Sequence, residues 1–272
     1  MPELPEVETV VRDVRPCLVD RMFASVQVGR QSLRRPWLPQ WSRLVRGRKI
    51  QAVQRRGKWI VIQLDGPFLV IHLGMTGQLT VASAQQPTSD HTHLIFHLAA
   101  SDQQLRFRDV RRFGSATCYA DQQALDVFFE SSGLGPEPFA MEGKYWRACL
   151  AKTQRCLKAI LLDQRVVAGV GNIYADESLF EARLHPERLG SQLTAREAGS
   201  LHKAIVRVLN HAIEKRGSSI RDYIGGSGLK GEFQDEFRVY GRTDEPCLRC
   251  RKAIVRIVLA GRSTHFCPRC QK

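Results

Sequence analysis

The 272-residue sequence has no stretch approaching the roughly 18 uninterrupted apolar residues that a membrane-spanning helix requires. Its opening, MPELPEVETV, carries Glu3, Glu6 and Glu8 where a secretory leader would carry Lys or Arg. Both absences lead to the expectation of a soluble, intracellular chain. No internal repeat or low-complexity tract appears, and with 43% hydrophobic and 25% charged residues disorder, a collagen-like chain and a disulfide-dense miniprotein are excluded. Acid is scarce: 27 Asp+Glu against 41 Lys+Arg gives 41 − 27 = +14. The shortage is local as well as global, since Arg30 to Lys58 holds ten basic residues and not one acid. Residues 241–272 hold eight more against only Asp244 and Glu245. An excess of this size suits a polyanion, because each neutralised phosphate releases condensed counterions. Two separated basic regions suggest two walls of one groove, although two unrelated solvated faces would carry the same charges.

The organisation is α+β. Val7, Val10, Val11, Val14 and Leu18 recur at three- and four-residue intervals, which predicts a first helix with Pro2 and Pro5 at or before its first turn. From about 22 to 120 the chain turns to short runs such as WIVIQL, FLVIHL and HLIFHL, a β-sandwich or barrel pattern. A Gly/Pro-rich stretch, SGLGPEPF, marks a boundary near residue 134, and helical texture follows. Thr194 and Glu197 form a capping-box pair ahead of apolar residues at Leu201, Ile205, Val208, Leu209, Ala212 and Ile213, with a stop at Gly217.

Eight cysteines fall into two classes. Cys247-x2-Cys250 and Cys267-x2-Cys270, 16 residues apart, fit a four-thiolate zinc template with no open position, hence a structural metal. The intervening IVRIVLAGRSTHF reads as a hairpin turning at Ala260-Gly261-Arg262. Cys17, Cys118, Cys149 and Cys156 are scattered singly and are expected to be buried apolar residues. At the other end, loss of Met1 would leave Pro2 as a secondary amine, and α-amines with pKa near 8 are partly unprotonated at neutral pH. Such an amine can attack an aldehyde-level carbon, with Glu3 beside it for proton transfer; a plain Pro-containing helix start is the structural alternative.

MPELPEVETV, RRGKW, HLGMTG, DVRRFG, GVGNIYADESLF and AGRSTHFCPRCQ, in this order from first residue to last, closely resemble the formamidopyrimidine-DNA glycosylase family of bifunctional base-excision enzymes. The resemblance implies an N-terminal β-sandwich domain carrying a catalytic helix (1–133), a helix-two-turn-helix domain (134–225), a recognition loop and linker (226–240) and a zinc ribbon (241–272) with one zinc on Cys247, Cys250, Cys267 and Cys270. It implies Pro2 as nucleophile at C1′ of an oxidised-purine nucleotide, Glu3 as acid/base, Lys58 at the lesion and Arg262 in the final elimination. Met75, Arg111 and Phe113 match residues that fill the gap left by an extruded base, with Arg112 alongside; core packing is the commoner fate of Met and Phe. Asn172, at a glycine-preceded helix start, resembles a phosphate contact, though helix capping accounts for it equally. His91, Lys158 and Gln154 also align near the DNA backbone, Gln154 replacing a more usual Lys. Gly225, Gly226, Gly228 and Gly231 give the segment IGGSGLKGEFQDEFRVYG the freedom to close over a base, and its Glu232, Asp235 and Glu236 are expected to point away from phosphate. The implied partner is lesion-bearing or abasic duplex DNA, the implied state a monomer, and the implied location a bacterial cytoplasm, associated with the nucleoid. Two rivals remain: the same scaffold acting on oxidised pyrimidines, as in the endonuclease VIII branch, and a catalytically silent zinc-ribbon DNA-binding protein.

Overall fold

Helix α1, Leu4–Leu18, turns Val7, Val10, Val11, Val14 and Leu18 to one face, and all five are completely buried. The computed structural model describes residues 1–219 and 225–272, so Ile224, at the start of the glycine-rich recognition segment, lies outside them. Strand β1 (Phe23–Val28) is followed by a short helix α2 (Pro39–Val45) and then by β2 (Ile50–Arg56), β3 (Trp59–Leu64) and β4 (Phe68–His72). After them come β5 (Gly77–Ser83), β6 (Thr92–Leu98), β7 (Gln103–Asp109), β8 (Ser115–Tyr119) and α3 (Gln122–Ser131). They form two antiparallel four-stranded sheets, ordered β1-β6-β7-β5 and β2-β3-β4-β8. One core joins both sheets to α1, with Val10 and Val14 packed among Phe23, Ile62, Leu79, Phe96 and Phe107. The apolar stripe predicted from spacing is therefore what fixes the helix that Pro2 precedes.

Helix α2 interrupts the region from about 22 to 120 that the sequence pattern gives as short strands. Pro39 supplies a preset first-turn φ, and Trp37 and Trp41 pack edge-on, Trp37 also against Phe96. The outer face of the second sheet is covered by α3, whose Leu125 and Phe128 meet Val70, Trp59 and Tyr119.

The chain divides into two compact units, Met1–Ser132 with Lys215–Glu232, and Gly133–Glu214 with Phe233–Lys272. Described residues of 215–232 pack with α1, where Glu6 Oε1 accepts the Ser218 backbone N–H at 2.8 Å. In the second unit α4 (Gly143–Ala151), α5 (Leu157–Leu162), α6 (Asn172–Ala182) and α7 (Ala195–Glu214) precede the ribbon strands β9 (Val255–Leu259) and β10 (Arg262–Phe266). Helix α7 starts as its capping box predicts: Thr194 Oγ1 accepts from Glu197 N at 3.2 Å, and Glu197 Oε2 from Thr194 N at 2.9 Å. Buried Trp146 of α4 donates to the Ala198 carbonyl at 2.9 Å and locks α4 to α7. Of the single cysteines only Cys118 is buried. Cys17, Cys149 and Cys156 are half-exposed, so the expectation of four buried apolar residues is corrected for three.

Thr194→Ala removes one cap acceptor from an exposed helix start. It is expected to lower stability by about 0.5–2 kcal/mol in urea unfolding, and an unchanged midpoint would show the box to be incidental.

Candidate nucleic-acid interface and metal centre

In the first unit the antiparallel pair β4–β8 sets the site, because His72 pairs with Ser115 and brings the turns after β4 and before β8 side by side. Gly74 lies at φ +60°, and a Cβ there would sit 2.4 Å from the Gly114 nitrogen, so the HLG and FG glycines allow the two turns to touch. The 109–114 turn is pinned by one carboxylate. Asp109 is fully buried, its Oδ2 accepting Gly114 N at 2.7 Å and its Oδ1 accepting Thr76 Oγ1 at 2.5 Å and Arg111 N at 3.2 Å. The His91 carbonyl in turn accepts Asp109 N at 3.0 Å, while the His91 side chain is exposed.

The turn holds Arg111, Arg112 and Phe113 outward. Met75 is 37% and Phe113 46% exposed, which overturns the core alternative for both. Burial of such side chains contributes about 1.5–3 kcal/mol each, so their exposure points to a partner. The Arg111 guanidinium stacks 4.8 Å above the Phe113 ring. These residues, with Met1, Arg34 and His72, line an open cleft of about 850 Å³. Pro2, Glu3 and Lys58 are all buried, Glu3 at 3% and Lys58 at 6% exposure. The Glu3 backbone N–H is fixed by Glu6 Oε2 at 2.8 Å. Lys58 sits in the tight turn between β2 and β3, close enough for its charge to act on His72.

His72, within HLGMTG, and Asp109, within DVRRFG, acquire their roles only through the fold. His72 Nδ1 accepts the Gly74 N–H at 3.0 Å, so the imidazole is neutral with its proton on Nε2. Burial, then the charges of Lys58 and Arg34, push its pKa down to about 4.

The second unit gathers another cluster. Gly171 occupies the N-cap position of α6, so capping does not account for Asn172, the first helical residue. Asn172 Nδ2 donates to the Ser263 carbonyl at 3.0 Å, and its Oδ1 is buried without a hydrogen-bond partner. Lys158 requires correction. Its side chain is wholly buried, with Nζ 2.5 Å from Asp176 and 3.0 Å from the Asn172 carbonyl, so it supports Asn172 and presents no ammonium to a phosphate. Gln154 is exposed and accepts from Ser191 Oγ at 3.3 Å. Glu236, from the acidic part of the recognition segment, is bound by His211 Nε2.

The ribbon is seated on carboxylates of α6. Asp176 Oδ2 accepts His265 N at 2.8 Å, and Glu177 accepts the backbone N–H groups of Arg238, Val239 and Tyr240 at 2.9–3.1 Å. Complete burial nevertheless raises the Glu177 pKa, those three donors only partly opposing it. Glu181 takes Arg249 at 2.6 Å, and Arg249 also stacks on Phe180. The hairpin turn is Ala260-Gly261, both at positive φ, so Arg262 opens β10 instead of lying within the turn; it is exposed. The four sulfurs of Cys247, Cys250, Cys267 and Cys270 all lie within 4.8 Å of one another. A tetrahedral zinc with bonds of about 2.3 Å needs sulfur separations of about 3.8 Å, and the Cys247–Cys270 distance is 3.9 Å. The donor set fits one structural zinc, closed to further ligands. Among the described residues no helix is long and apolar enough to cross a membrane.

Fold and sites together define a β-sandwich unit with a basic, aromatic-edged cleft, and a helical unit finished by a zinc ribbon. Residues 1–116 match the model of the formamidopyrimidine-DNA glycosylase N-terminal domain, 134–223 that of its H2TH domain, and 244–272 that of the zinc finger found in FPG and IleRS. Formamidopyrimidine-DNA glycosylases of Desulforamulus reducens and Bacillus subtilis are 44% and 42% identical, each over 100% of this chain and 99% of its own. A mutant Lactococcus lactis FPG crystallised with Fapy-dG-containing DNA superposes at TM-score 0.92 and 38% identity, covering 100% of both chains. MutM bound to carbocyclic 8-oxo-G-containing DNA superposes at 0.91 and 38%, also over 100% of both. The chain belongs to the formamidopyrimidine-DNA glycosylase family.

Two measurements check the sites. A His72 pKa near 4 means the folded state binds fewer protons than the unfolded between pH 4 and 6.5, so this group makes stability fall as pH drops through that window. NMR should show the His72 ring unchanged from pH 7.5 to 5.5, and a midpoint near 6.5 would contradict the geometry. Cys250→Ser should lose zinc by atomic absorption and weaken DNA binding; unaltered affinity in a metal-free variant would remove the ribbon from the interface.

Proposed function

We propose that this chain is a bifunctional DNA glycosylase/AP lyase of base-excision repair that removes 8-oxoguanine and formamidopyrimidines from duplex DNA and then cleaves the strand. The observation that carries this reading is the first-unit cleft. It places the start of the chain beside exposed Met75, Arg111 and Phe113, in a fold whose relatives are crystallised on Fapy-dG and 8-oxo-G DNA. A base stacked in a duplex is out of reach, so it is extruded at a cost of a few kcal/mol. Met75 and Phe113 fill the vacancy, and Arg111, preorganised on the Phe113 ring, donates to the orphaned base.

Removal of Met1 leaves the Pro2 secondary amine, which attacks C1′ as the glycosidic bond breaks and the base departs with that electron pair and a proton. Glu3 protonates the sugar oxygen as the ring opens and an iminium forms. The iminium acidifies the C2′ proton; its removal expels the 3′ phosphate, a second elimination expels the 5′ phosphate, and hydrolysis frees Pro2. Lys58 contacts the lesion, and Arg262 assists the last elimination. His72 Nε2–H, Asn172, His91, Arg112 and Gln154 hold the phosphodiester backbone, and the glycine-rich segment from Gly225 to Gly231 meets the extruded base. The zinc is structural and takes no part in bond changes. This substrate places the protein with the bacterial nucleoid.

Borohydride trapping on an 8-oxoguanine:C duplex tests the reading. A covalent adduct is expected, and its loss in Pro2→Gly or in a Met1-retaining form assigns it to the terminal amine. No wild-type adduct, or faster cleavage of a thymine-glycol duplex, would overturn the activity or its purine preference respectively.

A further inference from the structure

Helix α1 carries, beyond Glu6 and Glu8, a third carboxylate that the reaction does not use. Asp13 lies 13 − 2 = 11 residues beyond Pro2, about 16 Å along the helix axis at 1.5 Å per residue, too far to touch a sugar held at the amine. Its side chain is 9% exposed, and one oxygen, Oδ2, takes three donors: Arg216 Nη2 at 2.7 Å, Ser227 Oγ at 3.0 Å and Ser227 N at 3.2 Å. Arg216 also reaches Ser227 Oγ at 3.0 Å, closing a three-residue knot across more than 200 positions of sequence. The backbone beside the knot lies flat on the helix. A Cβ on Gly225 would come within 2.5 Å of Asp13 Oδ2, and one on Gly226 within 2.6 Å of Val14 Cγ1. The turn continues with Gly225 N donating to the Leu229 carbonyl at 2.7 Å. Hence the entry to the Gly225–Gly231 segment is fixed by a charged group on the helix that presents Pro2.

We propose that Asp13 is a positioning residue for base selection: it anchors the Gly225–Ser227 foot of the recognition segment to α1, so that the segment meets an extruded base in register with the amine. This rests on the glycosylase reading above and deepens it. Glu6 also holds this region, through Ser218, but it caps the Glu3 backbone as well and so mixes base selection with chemistry. Asp13 has no bond to Pro2, Glu3 or Lys58 among the described contacts, and its influence on the reaction runs through the segment. A preformed abasic site offers no base to recognise, so cleavage there needs the amine and not the foot.

The test compares two single-turnover rates in the same duplex sequence, excision of 8-oxoguanine opposite C and strand cleavage at a preformed abasic site, for wild type and Asp13→Asn. Charged hydrogen bonds of this kind are strong enough that their loss should lower the excision rate at least about tenfold, with abasic-site cleavage unchanged within error. A parallel fall of both rates would mean that Asp13 merely supports the fold, and no change in either would mean that the knot is incidental; each overturns the proposal. If Asp13→Asn does not fold, as judged by its thermal melt, Arg216→Ala decides. It removes the guanidinium donor to Asp13 Oδ2 and leaves both Ser227 donors in place, and a selective fall in excision sustains the proposal whereas an unaltered ratio overturns it. A wild-type protein that cleaves abasic sites but never excises 8-oxoguanine would instead defeat the specificity reading on which the proposal stands.

Discussion

Much of the structure depends on a small number of buried carboxylates, each gripping backbone N–H groups in a chain with a large excess of positive charge. Asp109 holds the turn that projects Arg111 and Phe113, Glu6 holds the Glu3 N–H and Ser218, and Asp176 and Glu177 hold the ribbon and its linker. A basic loop repels itself and has no apolar surface to anchor it, so its conformation must come from elsewhere. A buried acid supplies this by satisfying several donors at once, and truncating such an acceptor costs about 1–3 kcal/mol per orphaned donor. The few acids the sequence contains are thus not spread as counterions over the basic surface. Several are fixed points beneath it.

This arrangement explains how exposed groups can be both cationic and rigid. Arg111 is oriented by its own backbone bond to Asp109 and by the Phe113 ring, so little side-chain entropy remains to be lost on binding. Asn172 is oriented from below by the Lys158–Asp176 pair, and its amide is tied to Ser263 on the ribbon. In each unit a buried ionic layer lies beneath the residues proposed to face DNA, and the four-cysteine zinc site performs the same service for the hairpin that carries Arg262.

What the sequence made legible follows from the range of the interactions. The spacing of Val7 to Leu18, the Thr194–Glu197 cap and the paired cysteines are local patterns, and each element forms where its pattern lies. Helix α2 was hidden because a seven-residue helix between strands has too few turns for a periodicity. Lys158 aligns with a DNA-backbone contact, yet its partner Asp176 lies 18 residues away and buries it, and charge type alone does not reveal burial. His72 and Asp109 stood inside recognisable motifs, yet their roles arise only when the β4 and β8 turns meet. The Asp13 knot had no signal at all, since its partners are more than 200 residues distant.

The most direct measurement is amide hydrogen exchange of the first unit in wild type and in Asp109→Ala. If buried carboxylates fix the basic turns, the Arg111 and Gly114 amides are protected in the wild type and exchange freely in the variant, while the β3 amides of Ile60 to Leu64 keep their protection. Equal protection of Arg111 and Gly114 in both proteins would contradict the account, since the turn would then hold its shape without the carboxylate.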